Sequence, residues 1–292
     1  MSKKYVVSDD ELEDLLGKYC RDFTALARMG RFDPITGRDE EIDQTILILL
    51  QKGRKNAALL APAGVGKTAL VVGLAQTVVK NAVPEYLKDA RVIELELPSM
   101  AAGTSSIAEF QGRFIPICKG LAERYHDPEE PRFIMFIDEV HTIMPSCAGS
   151  SYKGLSEVLK PYMTVGDLHI IGATTVDEYR EYVAVDPALD RRFQRVSLKV
   201  PNAAETLDIM RALRPGFEKH HRITIPDEEL ARIVKLTEEH LKRRNQPDKS
   251  IVMMDAACAY HVKMFGRGQT LEKSSVYYMI SKECGVHPDA LE

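Results

Sequence analysis

The spacing of hydrophobic residues changes twice along this 292-residue chain. Over residues 9–29 apolar side chains fall at Leu12, Leu15, Leu16, Tyr19, Phe23 and Leu26. Steps of three and four put these on one helical face, so a single helix ending near Gly30 is predicted. RFDPITGRDEEI then reads as a loop leading into a second helix. From residue 56 to about 200, short apolar runs alternate with helical stretches, and strands are predicted at 56–61, 91–97, 133–138, 168–173 and 195–200. Such alternation implies a mostly parallel sheet with helices on both faces. After Pro201-Asn202 the strand pattern stops, and helices are predicted over 203–219, 227–244, 249–264 and 270–283. Asp227 is expected to cap the second of these, with Glu228 and Glu229 in its acidic first turn. The expected fold is α/β, a parallel five-stranded sheet followed by a small helical domain. Its divisions are a helical lead-in (1–35), an α/β domain (36–202) and a mainly helical lid (203–292).

Composition narrows the classes of function. Hydrophobic residues at 45% and charged residues at 28% are those of an ordinary globular protein. A net charge of −4 argues against a nucleic-acid partner held by bulk charge. No apolar stretch approaches the roughly 18–20 residues of a membrane span, and MSKKYVVSDDELEDLL has no apolar signal core. The five cysteines are scattered and lack C-x-x-C spacing, which suits packed, reduced thiols and a cytoplasmic protein. The eight histidines suggest no metal set, and His141 reads as structural.

Two motifs carry the chemistry. Residues 61–68 read APAGVGKT, a phosphate-binding loop in which Ala61 stands where G-x-x-x-x-G-K-[ST] has its first glycine. Such loops aim backbone N–H groups and a helix N-terminus at a polyphosphate. Gly64 and Gly66 allow the backbone conformations this needs. Lys67 would reach the β- and γ-phosphates, and Thr68 would hold Mg²⁺. The contacts expected for the nucleotide run through Ala61, Pro62, Ala63, Gly64, Val65, Gly66, Lys67, Thr68 and Ala69. The second motif is the apolar run FIMFI, which ends in Asp138-Glu139. Asp138 is expected to face the metal and Glu139 the attacking water. Alone, GVGKT is compatible with an ordinary strand–turn–helix join and the acidic pair with a solvated strand end. The two together, in this order, point to nucleoside triphosphate hydrolysis. Ligands of parallel sheets sit at the carboxyl ends of strands, where the loop, Asp138-Glu139 and Thr174-Thr175 all fall.

Several longer stretches extend the match: KYCRDFTALARMGRFDPITGRDEEI, KTALVVGLAQTVVKNAVPEYLKDARV, FIDEVHTI, LHIIGATTVDEYREYVAVDPALDRRF and QPDKSIVMMDAA. Together they resemble the first ATPase module of the double-ring disaggregases and unfoldases of the Clp family of AAA+ ATPases. The resemblance runs from about residue 17 to the end. It implies ATP and Mg²⁺ as cofactors, with Thr68 and Asp138 at the metal and Glu139 polarising water. It makes Thr175 the sensor near the γ-phosphate, and Arg191 and Arg192 arginine fingers reaching into a neighbouring subunit. Ile35 and Thr36 would clasp adenine. The nucleotide is expected in the cleft between the α/β and helical domains. Self-assembly into a ring, a hexamer in that family, is implied, with a protein substrate as partner. GVHPDAL resembles the link to a second module, and the chain is expected to be a single module.

The chain also departs from the family. Alanines at 61 and 63 replace glycine and proline, a change small enough for nucleotide binding to survive. In the family, a Lys-Tyr-Arg-Gly run carries a tyrosine that grips polypeptide in the ring's pore. Aligned on Glu109-Phe110, that run is Ser105-Ser106-Ile107-Ala108, and serine offers almost none of an aromatic's contact area. Tyr152-Lys153 falls at the second pore loop. The leading expectation is an ATP-hydrolysing assembly that remodels or unfolds a specific protein partner. The alternatives are a nucleic-acid-linked loader or switch, using Lys242-Arg243-Arg244, and an ATP-gated scaffold that threads nothing.

Overall fold

The computed structural model describes residues 5–147, 149–287 and 291, so the GVHPDAL stretch lies partly outside them. Two compact units are present. The first takes in the chain up to Phe32, Glu40–Ala61 and Lys67–Leu198; the second takes in Asp33–Asp39, Pro62–Gly66 and the chain from Lys199.

The first unit is built on strands β1 (Cys20–Asp22), β2 (Asn56–Leu60), β3 (Arg91–Leu95), β4 (Phe133–Ile137), β5 (His169–Thr174) and β6 (Phe193–Ser197), in the spatial order β1-β3-β4-β5-β2-β6. The pairs from β3 to β6 are all parallel. Every residue of β2, β4 and β5 is buried, as strands covered on both faces require. The sheet therefore has six strands, not five. The added one, β1, runs antiparallel to β3 with Arg21 opposite Glu94.

The same segment corrects the first predicted helix. Instead of one helix over 9–29 there are two, Asp9–Tyr19 and Phe23–Arg28, with β1 between them. Asp22 starts the second by accepting the Ala25 N–H at 2.8 Å, which satisfies one of the unpaired donors at a helix start. The helical spacing survives the break because Leu12, Leu16 and Phe23 are all buried. Arg124 ties the first helix down: 2% exposed, it donates to Gly120 O at 2.8 Å and Val7 O at 3.2 Å and pairs with Asp9. A Cβ on Gly120, in the helix Ile107–Arg124, would lie 2.9 Å from Leu12 Cδ1, so glycine is what lets that helix approach Asp9–Tyr19.

At the start of β5, His169 is fully buried, with Nε2 3.2 Å from Leu49 O. Burial, reinforced by Lys55 and Arg132, pushes its pKa down to about 3. The unfolded chain, with an ordinary histidine pKa near 6.5, thus binds a proton that the folded chain refuses. Stability is full above pH 6.5 and falls as pH drops towards 3, by about 2 kcal/mol at pH 5. Urea unfolding at pH 7 and pH 5 should show this loss in the wild type and little of it in His169→Gln.

The second unit holds the helices Ala203–His221, Asp227–His240, Asp248–Phe265 and Lys273–Cys284. Met210, Leu230, Ile233, Met254, Cys258 and Ile280 are among its buried core. The first helix opens on a capping box, Asn202 accepting from Glu205 N at 3.0 Å and Glu205 accepting from Asn202 N at 2.8 Å. The second is preceded by Pro226, so Asp227 is its first residue rather than its cap, and the acidic first turn stands. That helix ends at His240, short of the predicted 244, because Leu241 leaves helical geometry and Lys249 Nζ takes its carbonyl at 3.3 Å. Among the described residues no helix is long and apolar enough to cross a membrane.

Candidate nucleotide site

In the first unit, β2, β5 and β4 lie side by side and end together, which places Ala61, Thr174 and Asp138 along one edge. Lys67 opens the helix Lys67–Val79 and donates from Nζ to Ala61 O at 3.0 Å. Thr68 Oγ1 is 3.2 Å from Asp138 Oδ2. Two adjacent oxygen ligands on an octahedral Mg²⁺ with bonds of 2.0–2.1 Å lie about 3 Å apart, so this pair fits the ion.

Pro62–Gly66, the middle of the loop, belongs to the second unit. Gly64 (φ 77°) and Gly66 (φ 104°) are both left-handed. At Gly64 the demand is double, because a Cβ there would lie 2.8 Å from Asp248 Cβ. The loop's carbonyls are held from three sides. Buried Arg38 donates to Val65 O at 2.7 Å and to Lys199 O at 3.2 Å. Asn245 Nδ2 donates to Ala63 O at 3.0 Å, and Asp248 N approaches Gly64 O at 3.4 Å. With its carbonyls held outward, the loop keeps its N–H groups for an anion. Sequence reasoning gave Arg38, Asn245 and Asp248 no role, since nothing in their spacing reports a contact to a distant loop. Ile35, half-buried, and Thr36, exposed, lie on the Asp33–Asp39 segment of this same unit.

Glu139 adopts φ 48°, ψ 48°, a left-handed conformation costly for a non-glycine residue. Its N–H reaches Asp138 Oδ1 at 2.9 Å, and its carbonyl accepts from Thr142 N at 2.9 Å and Thr142 Oγ1 at 2.8 Å. The next residue, Val140, sits on β5 where Gly172 leaves room; a Cβ at 172 would come within 2.9 Å of Val140 Cγ1. Burial raises the Glu139 pKa, helped by the charges of Asp138 and Glu178 and opposed by His141 and Lys67. A carboxyl raised in this way is suited to general-base work near neutral pH. Beside it a cleft is lined by Arg21, Glu94, Glu96, Asp138, Glu139 and Tyr152. Arg21 Nε lies 2.6 Å from Glu94 Oε2 and 3.4 Å from Glu96 Oε1.

The two threonines at the end of β5 divide their tasks. Thr175 closes a capping box: Oγ1 accepts from Glu178 N at 3.2 Å and donates to Glu178 Oε2 at 2.8 Å. Its hydroxyl is thus engaged within its own turn. Thr174, the last residue of β5, is fully buried; its hydroxyl donates to Glu178 Oε2 at 2.9 Å and lies 2.9 Å from His141 Nδ1. His141 proves to be near chemistry: Nδ1 is also 3.4 Å from Glu139 Oε2 and 3.5 Å from Glu178 Oε2.

Arg191 and Arg192 are not brought to this edge. They immediately precede Phe193, which pairs with Asn56, so they lie where β2 begins and the loop lies where it ends. A five-residue strand separates these edges by about 16 Å. Arg191 is exposed, its Nε bonded to Pro187 O at 2.9 Å. Arg192 Nη2 is 3.3 Å from Thr164 Oγ1, while its Nε is buried without a hydrogen-bond partner.

Of the segments aligned with pore loops, residues 105–109 are exposed at a helix start. Ser106 caps the helix Ile107–Arg124, accepting from Glu109 N at 3.2 Å, and Ser105 N donates to Glu109 Oε2 at 2.7 Å. Tyr152 is half-buried, its ring 5.7 Å from that of Phe110.

The family model of the ATPases associated with various cellular activities (AAA) matches residues 57–200, and that of the AAA lid domain matches 202–278. The chaperone protein ClpB of Vibrio cholerae is 38% identical over 265 residues, covering 90% of this chain and 30% of the relative. That of Staphylococcus aureus is 42% identical over 246 residues, covering 84% and 28%. Among solved structures, Hsp104 in a closed state with ATPγS and FITC-casein has a TM-score of 0.82 at 33% identity, covering 93% of this chain and 45% of that one. The Saccharomyces cerevisiae Hsp104–ADP complex has a TM-score of 0.82 at 31% identity, covering 95% and 46%. The chain spans less than a third of the length of these curated relatives. With the likeness carried through both the nucleotide-binding core and the lid, the chain belongs to the Clp family of AAA+ ATPases.

Proposed function

We propose that this chain is an ATP-hydrolysing module that assembles with copies of itself, as a ring of six by resemblance to its family, and remodels a specific protein partner. The observation that carries the hydrolytic reading is the pairing of Thr68 with Asp138 at 3.2 Å beside the strained Glu139. In this reading Ile35 and Thr36 hold adenine, and the loop from Ala61 to Ala69, with Lys67, holds the phosphates. Thr68 and Asp138 hold Mg²⁺, which when bound offsets phosphate charge. Glu139 takes the proton of the attacking water. Arg191 and Arg192, on the far edge of their own sheet, serve a neighbour's site. Scattered free cysteines suit a reducing, cytoplasmic setting.

Protein as the partner class is supported by the ClpB chaperones and the Hsp104–casein structure. The nucleic-acid reading is weakened because two cations of its exposed basic cluster have internal partners: Lys242 Nζ donates to Glu238 O at 2.7 Å and Arg244 pairs with Glu283 at 3.4 Å. A specific partner is favoured over arbitrary unfolded chains by Ser105 and Ser106, which cap a helix instead of presenting an aromatic.

Turnover of Mg-ATP with added casein or duplex DNA tests this. Casein should stimulate the wild type weakly and Ser106→Tyr more strongly; DNA should do nothing. Strong casein stimulation unchanged by Ser106→Tyr would overturn the specific-partner reading. DNA stimulation lost with rising salt would overturn the protein-partner reading.

A further inference from the structure

We propose that His141 is a positioning residue for hydrolysis, its Nδ1 bonded to the strand-end hydroxyl of Thr174 and set 3.4 Å from the Glu139 carboxylate. The inference rests on the reading of Glu139 as the base.

Hydrogen-bond polarity fixes the tautomer. Thr174 Oγ1 donates to Glu178 Oε2 at 2.9 Å. Burial works against ionised Glu178, but bonds from Thr175 N, Thr175 Oγ1 and Thr174 Oγ1 outweigh it and hold its pKa below the usual range. Glu178 is therefore an acceptor only, and the Thr174 proton is committed to it. A hydroxyl with its proton committed can only accept from a second partner. The 2.9 Å contact between His141 Nδ1 and Thr174 Oγ1 thus requires the hydrogen to be on Nδ1. Nδ1 itself lies 3.4 Å from Glu139 Oε2 and 3.5 Å from Glu178 Oε2, so the ring's polar edge sits against both carboxylates.

The imidazole has little freedom to leave this place. It stacks on Tyr182 with centroids 5.7 Å apart and 29° between planes. Its neighbour Val140 is pinned over Gly172. The ring is 12% exposed, while the Glu139 side chain is 53% exposed and depends on contacts for its direction. On the π-turn Tyr179–Val183 packed beside His141, Glu181 bonds Tyr182 and Arg180 pairs with Asp177 at 3.8 Å.

The test compares His141→Asn with His141→Gln, with Glu139→Gln as control. Asparagine carries its amide N–H near the Nδ1 position; glutamine carries it near Nε2. His141→Gln should lower kcat about 10- to 100-fold, the cost of a misplaced catalytic group. It should leave ATP affinity unchanged. His141→Asn should restore most of the rate. Wild-type kcat in His141→Gln would overturn the proposal. So would equal losses in both variants with equally lowered Tm, which mark a packing role. Wild-type turnover in Glu139→Gln would instead overturn the reading of Glu139 itself.

Discussion

Alanine at Arg191 is expected to leave ATP binding intact and to cut turnover about 10³- to 10⁵-fold, the range an arginine finger contributes to phosphoryl transfer. The expectation follows from sheet register. Phe193 pairs with Asn56 and Ser197 with Leu60, so the residues before β6 and the loop after β2 occupy opposite edges. No side chain spans that distance, and an arginine that acts must act on another copy. Arg191 is exposed with no carboxylate partner among the ion pairs of the described residues, and Arg192 holds a buried Nε with no acceptor. Mixing gives the sharper form. Arg191→Ala and Glu139→Gln subunits, each inactive alone, should regain turnover when combined, because a hybrid interface joins an intact Glu139 to an intact Arg191. Catalysis completed within one chain would give no recovery.

Glutamine at Glu139 should lower turnover about 10²- to 10⁴-fold, the span attributed to a positioned general base, while bound ATP persists. Glutamine keeps the size of the side chain and cannot accept the proton. The fold independently marks the position: φ 48° at a non-glycine residue is held by three hydrogen bonds through Asp138 and Thr142. Because burial and the charges of Asp138 and Glu178 raise its pKa, the working, ionised form is lost on acidification sooner than for an ordinary glutamate. The acid limb of the wild-type rate should accordingly lie above the usual carboxylate range and vanish in Glu139→Gln.

What the sequence could disclose divides along physical lines. Strands such as FIMFI and NAALL were legible because burial on both faces leaves an unbroken apolar run. The loop was legible because phosphate binding fixes glycines and a lysine at set spacing. β1 was not, since three residues, Cys20–Asp22, are too short to break a helical period that their flanks both obey. Glu178 accepts from the hydroxyls of both Thr174 and Thr175, a shared contact that is a matter of geometry rather than pattern. Arg38, Asn245 and Asp248 hold the loop through its carbonyls, and backbone contacts leave no periodic trace. One signal was present and unread: Ser106 followed three residues later by Glu109 matches the start of a capped helix. It marks the supposed pore segment as the beginning of Ile107–Arg124.

The central claim is that the ATPase site is complete only between copies of this chain. Mg-ATP turnover per subunit, measured across a wide range of protein concentration with Glu139→Gln as the blank, tests it most directly. The account predicts turnover per subunit that rises with concentration to a plateau, with the rise absent in Arg191→Ala. Substantial turnover independent of concentration, down to dilutions where the chain is monomeric, would contradict it.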